Sequence, residues 1–395
     1  MREPLDLLAE LVSIPSHVSQ PDGIATMGDV IGAELAALGF ERTDPEPPDR
    51  SAPPWAERLL SPGVAFDELP DPIVWTRGGV GAGRLLVLGD LDAALALPSE
   101  ECRLVVRDDR AIGPAVADMK GGLVVMLEAL RRIDRERIPG PPITVVLSGD
   151  EQAGSLRSAT TIRRHGATAS WALCVECARD GGRLMRSRGH IGIGRLVATG
   201  TAAHAGTARE AGYNAVTLLA RAVVRLEEAR LNDASATVTP TIVAGGTRRS
   251  VVPDRAEVVL DVRARDQSSW DRLDANLRAA LEGLEGADRL RAELFSHRPG
   301  LPATGRTKWL LSLIAELGLG VGLSIEAIDS LAAGSSAFLD PRSTAVMDGM
   351  GPEGGALMTP EEYVRIGSID ERATLLATVV ASLPAAEAQR PADAQ

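Results

Sequence analysis

The chain has 395 residues, enough for two domains, and is 45% apolar and 24% charged, which is the composition of a globular protein and excludes collagen-like, disordered and membrane-embedded classes. A formal net charge of −12 argues against nucleic acid or an anionic membrane surface as the main partner. Aromatic residues make up only 3%, so the core has to be built from Leu, Val, Ile and Ala.

Residues 1–12 mix charged with apolar residues, as an amphipathic helix does and a signal peptide does not. No apolar run is long enough to span a bilayer. Three cysteines, Cys102, Cys174 and Cys177, are too few for a disulfide framework. The expectation is a cytoplasmic protein with reduced thiols.

Residues 3–39 read as helical, broken near Ile14-Pro15-Ser16. Residues 43–72 are rich in Pro and acids and read as an irregular surface insertion, with Trp55 either packed in its loop or folded over a site. Strands and helices then alternate. Strands are predicted at Leu85–Leu88, Ile143–Leu147 and Trp171–Val175, with helices at Gly121–Ile133 and Leu156–His165. Short apolar strands between helices predict a mostly parallel, doubly wound sheet. Near Gly189 the pattern changes. Gly192–Thr199, Asn214–Arg230, Ala236–Val243, Arg255–Arg263, Ser269–Leu284 and Arg291–Phe295 read as strand, helix, strand, strand, helix, strand. That order suits an inserted split β-α-β, ferredoxin-like sandwich. Residues 308–318 resume a helix of the first domain. The expected division is a discontinuous catalytic domain over 1–188 and 301–384, a lid over 189–300 and a disordered tail over 385–395.

Asp90, Asp92, Asp118, Glu151 and Glu176 each follow one of the apolar strands or open a helix. Carboxylates at the C-terminal ends of parallel strands converge on one crevice. Unit charges ~4 Å apart interact by roughly 4 kcal/mol at an effective dielectric of about 20. Such a group therefore calls for a metal cation, for a cationic substrate, or for protons taken up near neutral pH.

Gly89-Asp90-Leu91-Asp92, then Asp118-Met119-Lys120-Gly121-Gly122, Gly149-Asp150-Glu151-Gln152, Glu176 and His204-Ala205-Gly206 follow one another in the chain. In that order they resemble the aminoacylase, acetylornithine deacetylase, succinyl-diaminopimelate desuccinylase and carboxypeptidase G family of two-zinc amidohydrolases. Val252-Pro253-Asp254, Asp261-Val262-Arg263 and Gly334-Ser335-Ser336-Ala337 extend the likeness over most of the chain. The resemblance implies a zinc-peptidase-like α/β domain with an inserted α+β dimerisation lid. It also implies a bridging acid at Asp118, a general base at Glu151, an acidic ligand at Glu176 and a catalytic role for Asp92. His204 would reach a partner's site and hold an oxyanion. Arg263 would grip a substrate carboxylate, or else be an Arg in an exposed strand pair. Asn214 and Gly334 would line the substrate site.

Three positions depart from that pattern. Asp90 stands where the family has a histidine ligand, Gln152 where it has a second acid, and Met358 where it has a final histidine. Asp90, Asp118 and Glu176 thus remain as one all-oxygen site, better matched to Mg²⁺, Mn²⁺ or Ca²⁺ than to Zn²⁺. The second site, with Gln152 and Met358, would be empty and its residues free to touch substrate. Ser335-Ser336 replaces the family's Ser-Asp. Cys174 and Cys177 form a C-x-x-C around Glu176, read either as a redox pair or, better, as buried thiols.

The leading expectation is an amidohydrolase-like enzyme acting on the amide or acyl-amine bond of a small amino-acid-derived substrate. It would work as a homodimer through the lid, with one divalent metal (Mg, Mn, Ca or Zn) or none. Two alternatives stay open. One is a metal-independent, non-hydrolytic enzyme of specialised metabolism. The other is an inactive binder of a cationic amino acid.

Overall fold

In the computed structural model the described residues are 2–179, 181–229, 231 and 235–390. The chain divides into two compact units. Unit 1 comprises Met1–Ser187, Leu301–Ser330 and Gly334–Gln395, and unit 2 comprises Arg188–Gly300 and Leu331–Ala333.

Unit 1 begins with helices Pro4–Ser13 (α1) and Pro21–Ala37 (α2). Strands Glu41–Thr43 (β1), Ile73–Arg77 (β2) and Leu85–Asp90 (β3) follow, then helix Gly121–Arg135 (α3) and strand Ile143–Ser148 (β4). Helix Ala159–Gly166 (α4) and strand Trp171–Cys174 (β5) complete the first part. Unit 2 supplies strand His190–Thr199 (β6), helix Ala215–Glu228 (α5), strands Ala236–Gly245 (β7) and Arg255–Ala264 (β8), helix Gln267–Leu281 (α6) and strand Leu290–Arg298 (β9). The chain then returns to unit 1 with helix Gly305–Gly320 (α7), strand Ala345–Met347 (β10) and helix Ile366–Ala388 (α8).

The large sheet of unit 1 has the order β1-β2-β4-β3-β5-β10. β4 and β5 flank β3, and both run parallel to it, while β2 runs antiparallel to β4. Every residue of β3 is buried, because helices cover both faces of the sheet centre and leave no polar side to alternate towards. The chain crosses from one side of β3 to the other between β4 and β5. This reversal is the switch point at which ligands bind in open α/β sheets.

One close approach sets the position of α3. A Cβ on Gly122 would lie 1.8 Å from the Val175 carbonyl oxygen, so only glycine lets the helix start press against the end of β5. From there Leu123, Val124, Met126, Leu127 and Leu130 enter the main core. Each fully buried aliphatic side chain of this kind contributes about 1.5–3 kcal/mol.

Unit 2 carries a four-stranded sheet in the order β7-β8-β6-β9, with every neighbouring pair antiparallel. Its core joins Leu218, Leu219 and Leu226 of α5 and Leu273 and Leu277 of α6 to Val258, Leu260 and Val262 of β8. This is a split β-α-β sandwich.

Three local expectations need correction. The stretch 43–72 is not wholly irregular, since Pro54–Leu60 is a helix and Trp55 is buried in it. The long helix α8 went unpredicted, and it packs along α3. Part of the stretch expected as a tail from 385 is helical, because α8 runs to Ala388, and 391–395 lie outside the described residues. No helix among the described residues is long and apolar enough to cross a membrane.

Candidate active site

The strand ends of unit 1 assemble the site. Asp90 is the last residue of β3, Glu151 follows β4, and Glu176 lies just past β5. Parallel pairing matches Asp90 with Ser148 and Leu88 with Cys174, so the three chain segments leave the sheet side by side. One carboxylate oxygen from each of Asp90, Glu151 and Glu176 lies within 4.8 Å of the others, and all three residues are buried. Ser335 Oγ donates to Asp90 Oδ1 at 2.8 Å, while buried Asp90 Oδ2 has no hydrogen-bond partner among the described residues.

Asp92 acts on the frame. Its two oxygens accept the backbone N–H groups of Glu151 at 3.0 Å and Gln152 at 2.7 Å. It therefore orients Glu151 through that residue's backbone, and its charge also acts on Asp90. Asp150 is braced in turn by Ser158 Oγ and by the Arg157 N–H, both at 2.6 Å.

The metal set expected from the sequence was Asp90, Asp118 and Glu176. The set brought within ligand reach among the described residues has Glu151 in place of Asp118. The local backbone accounts for the exchange. Ala115 has φ 54° and Asp118 has φ −120° and ψ 84°, so the segment ahead of α3 is not helical where Asp118 sits. Glu362 pins that conformation. Its Oε1 accepts from the Ala117 and Asp118 N–H groups at 2.9 and 3.0 Å, and its Oε2 accepts from the Met358 N–H at 3.0 Å. Sequence reasoning missed Glu362. Its only signal was an acid four residues after Met358.

The electrostatics match a buried acidic cluster. Burial, then the charges of Glu151, Asp92 and Glu176, push the Asp90 carboxyl well above the usual range, with the Ser335 hydrogen bond opposing. Asp92 is raised by burial and by Glu151 and Asp150, against its two backbone donors. Asp118 is raised by burial, Glu176, Glu151 and Glu362, and Arg179 opposes. Arg179 is thus a cation beside the cluster that the sequence did not single out. Burial lowers Lys120 to about 8, and its Nζ donates to the Ile14 carbonyl at 2.8 Å.

The remaining expected residues separate by unit. Met358 is 53% exposed with φ 59°, and Gln152 is half-buried beside Glu151. Gly334 caps the short turn that carries Ser335. Cys174 and Cys177 are both buried. In unit 2, His204 Nδ1 accepts the N–H groups of Gly206 and Thr207 at 3.2 and 3.1 Å. An accepting Nδ1 leaves Nε2 as the protonated nitrogen of the neutral ring. Asn214 Oδ1 caps α5 through the Thr217 N–H. Arg263 already holds Asp261 through two hydrogen bonds of 2.8 and 3.3 Å, which leaves only its outer edge for a ligand.

The donor chemistry fits a hard divalent cation. Three oxygens within 4.8 Å span the roughly 4–5 Å width of a shell of metal–oxygen bonds, and Asp90 Oδ2 is a buried acceptor with no donor among the described residues.

Residues 186–289 match the peptidase dimerisation domain of M20 enzymes. Over that stretch the chain resembles M20 peptidases. Carboxypeptidase G2 of a Pseudomonas species is 28% identical over 386 residues, covering 96% of this chain and 88% of that one. Succinyl-diaminopimelate desuccinylase of Methylococcus capsulatus is 24% identical, over 97% of this chain and 99% of that one. A solved tripeptidase from Staphylococcus aureus has the same fold, with a TM-score of 0.77 at 19% identity over 97% of this chain and 98% of that one. The M20 likeness thus extends through both units and reaches well beyond the dimerisation domain.

Proposed function

We propose that the chain hydrolyses an amide bond of a small amino-acid-derived molecule, using a single divalent metal. The observation that carries this reading is the buried group of Asp90, Glu151 and Glu176, whose oxygens converge within 4.8 Å. Similarity along nearly the whole chain to hydrolases of amide bonds supports hydrolysis over a non-hydrolytic or purely binding role.

Asp90 and Glu176 would hold the cation, with Glu151 or Asp118 beside them, and Mg²⁺, Mn²⁺ or Ca²⁺ suits such oxygens better than Zn²⁺. When bound, the metal supplies charge stabilisation at the carbonyl oxygen and a more acidic water. Glu151 takes a proton from water and delivers it to the departing amine, held in register by Asp92 through its backbone N–H. In unit 2, the Nε2–H of His204 is a donor suited to a developing oxyanion. The outer edge of Arg263 is suited to a substrate carboxylate. Met358 and Gln152 would border the substrate and leave a second metal without ligands. The active assembly is a homodimer through unit 2. Its dimerisation-domain match and the exposed Ile242, Val243 and Val224, each more than half exposed, support that state.

The test combines metal content with turnover. Protein stripped of metal and reloaded with each cation in turn is offered N-acyl amino acids and dipeptides, and amine release is followed. One metal per chain by elemental analysis, with turnover lost to EDTA and restored by metal, is the expected result. Two tightly held metals per chain, or turnover indifferent to EDTA, overturns the reading.

A further inference from the structure

Unit 2 contains a second concavity with the opposite chemistry. At the end of β7 the chain turns through Gly246–Val251 and, with Arg209 and Asn214, encloses a cleft of about 520 Å³. Arg209, Arg248 and Arg249 line it, and no acidic residue does. We propose that this cleft binds a small oxyanion carrying two or more negative charges, such as a phosphoryl group or a polycarboxylate.

Several other arginines of unit 2 are paired with acids, which makes the three informative. Arg195 pairs with Glu293, Arg221 with Glu285, Arg255 with Glu257, Arg263 with Asp261 and Arg278 with Asp274. The guanidinium groups of Arg209, Arg248 and Arg249 have no hydrogen bond or ion pair among the described residues. Unpaired guanidinium groups gathered around one hollow repel each other, and an anion between them removes that repulsion. Their planar forks suit phosphate and carboxylate oxygens bidentately. The chain as a whole carries −12, so this positive spot is local and not part of a general basic surface.

The backbone that carries the arginines is held in place. The Val251 N–H donates to the Arg248 carbonyl at 3.2 Å, closing the turn. Ala205 donates to Ser250 at 2.9 Å and Val252 to Ala203 at 2.8 Å, tying the turn to the segment of His204. Asn214 has its Oδ1 on the Thr217 N–H, which leaves its amide nitrogen as a further donor at the cleft wall. A binding site whose donors are fixed beforehand loses less entropy on capture.

This assignment does not depend on the amide-hydrolase reading, and its test needs no turnover. Full-length protein is titrated calorimetrically with inorganic phosphate and, separately, with citrate. The same titrations are run on the Arg209→Ala/Arg248→Ala/Arg249→Ala variant and on Arg248→Gln/Arg249→Gln, each checked for folding by circular dichroism. Saturable binding of one probe or both is expected, weakened by about tenfold or more in each variant. Phosphate alone assigns a phosphoryl ligand, whereas citrate alone assigns a polycarboxylate. No binding of either up to about 10 mM, an affinity weaker than roughly 3 kcal/mol, overturns the proposal. So does equal affinity in the variants.

Discussion

Unit 1 buries its acids and unit 2 exposes its unpaired bases, and the surrounding structure differs accordingly. Asp90, Glu151 and Glu176 are at most 5% exposed, so each must be held by its surroundings. Ser335 fixes Asp90, Asp92 fixes the backbone of Glu151, and Glu362 fixes the loop of Asp118. Arg209, Arg248 and Arg249 stand in solvent, where an ammonium or guanidinium group is already hydrated and needs only a tied turn beneath it. The contrast shows why burying a charge requires a built frame, since desolvation would otherwise expel or neutralise it. A wet charge can be recruited with far less structure.

The sharpest way to probe that contrast is to disable one region and watch the other. Glu151→Gln keeps the shape of the cluster but removes the proton carrier, so turnover should fall by about 10²–10⁴-fold. Phosphate binding by the arginine cleft should not change. Loss of less than about tenfold in steady-state assays would remove Glu151 from its role as base.

A smaller effect should follow from Glu362→Ala. The change strips acceptors from three backbone N–H groups, those of Ala117, Asp118 and Met358. An unsatisfied buried polar group costs about 1–3 kcal/mol, so the thermal midpoint of unit 1 should drop while hydrogen exchange in unit 2 stays unaltered. An unchanged midpoint would mean that the frame does not depend on this side chain.

The smallest effect is a divergence with pH. In metal-free protein Asp90, Asp92 and Asp118 have folded-state pKa values above their unfolded ones. Their ionised forms therefore burden the fold. That burden is absent below the unfolded value near 3.8 and grows as pH rises towards the folded values. In unit 2, burial, with Arg298, His190 and Arg263 nearby, lowers His297 to about 3. Stability from its neutral ring is present above the unfolded value of 6.5 and is lost as pH falls towards about 3. Between those limits acid should loosen unit 2 and relieve unit 1, read by hydrogen exchange of each unit in EDTA. A parallel response of both units would contradict the comparison.

The strand ends were legible in the sequence because apolar runs have one stable direction in a covered parallel sheet. Asp90, Glu151 and Glu176 could be placed together on that ground, and the four-stranded insertion could be read from its alternation. The orientation of Asp118 was not legible, since it rests on non-helical angles at Ala115, Asp118 and Met119 that no hydrophobic period encodes. Glu362 acts across 244 positions of sequence, beyond any local pattern. Helix α8 was obscured by its nearly uniform apolar character and by Pro384 within it. The arginine cleft was invisible for a simpler reason. Arg209 and Arg248 lie far apart in the chain and meet through the Ala205–Ser250 and Val252–Ala203 backbone hydrogen bonds.

The pairing of β9 with β6 places Arg298 opposite Ile191, so unit 2 begins and ends on neighbouring strands about 5 Å apart. Once folded, the whole of Arg188–Gly300 acts on the rest of the chain like a short turn. Assembly order then matters. An insertion that folds first spares unit 1 the closure entropy of a long loop, a quantity that grows by about 0.6 kcal/mol for each doubling of length, and delivers α7, β10 and α8 to the edge of a waiting sheet. An insertion that stays unfolded leaves β5 with an unpaired edge until β10 arrives. The same geometry makes unit 2 a natural place to cut the chain and replace an entire module with a few residues.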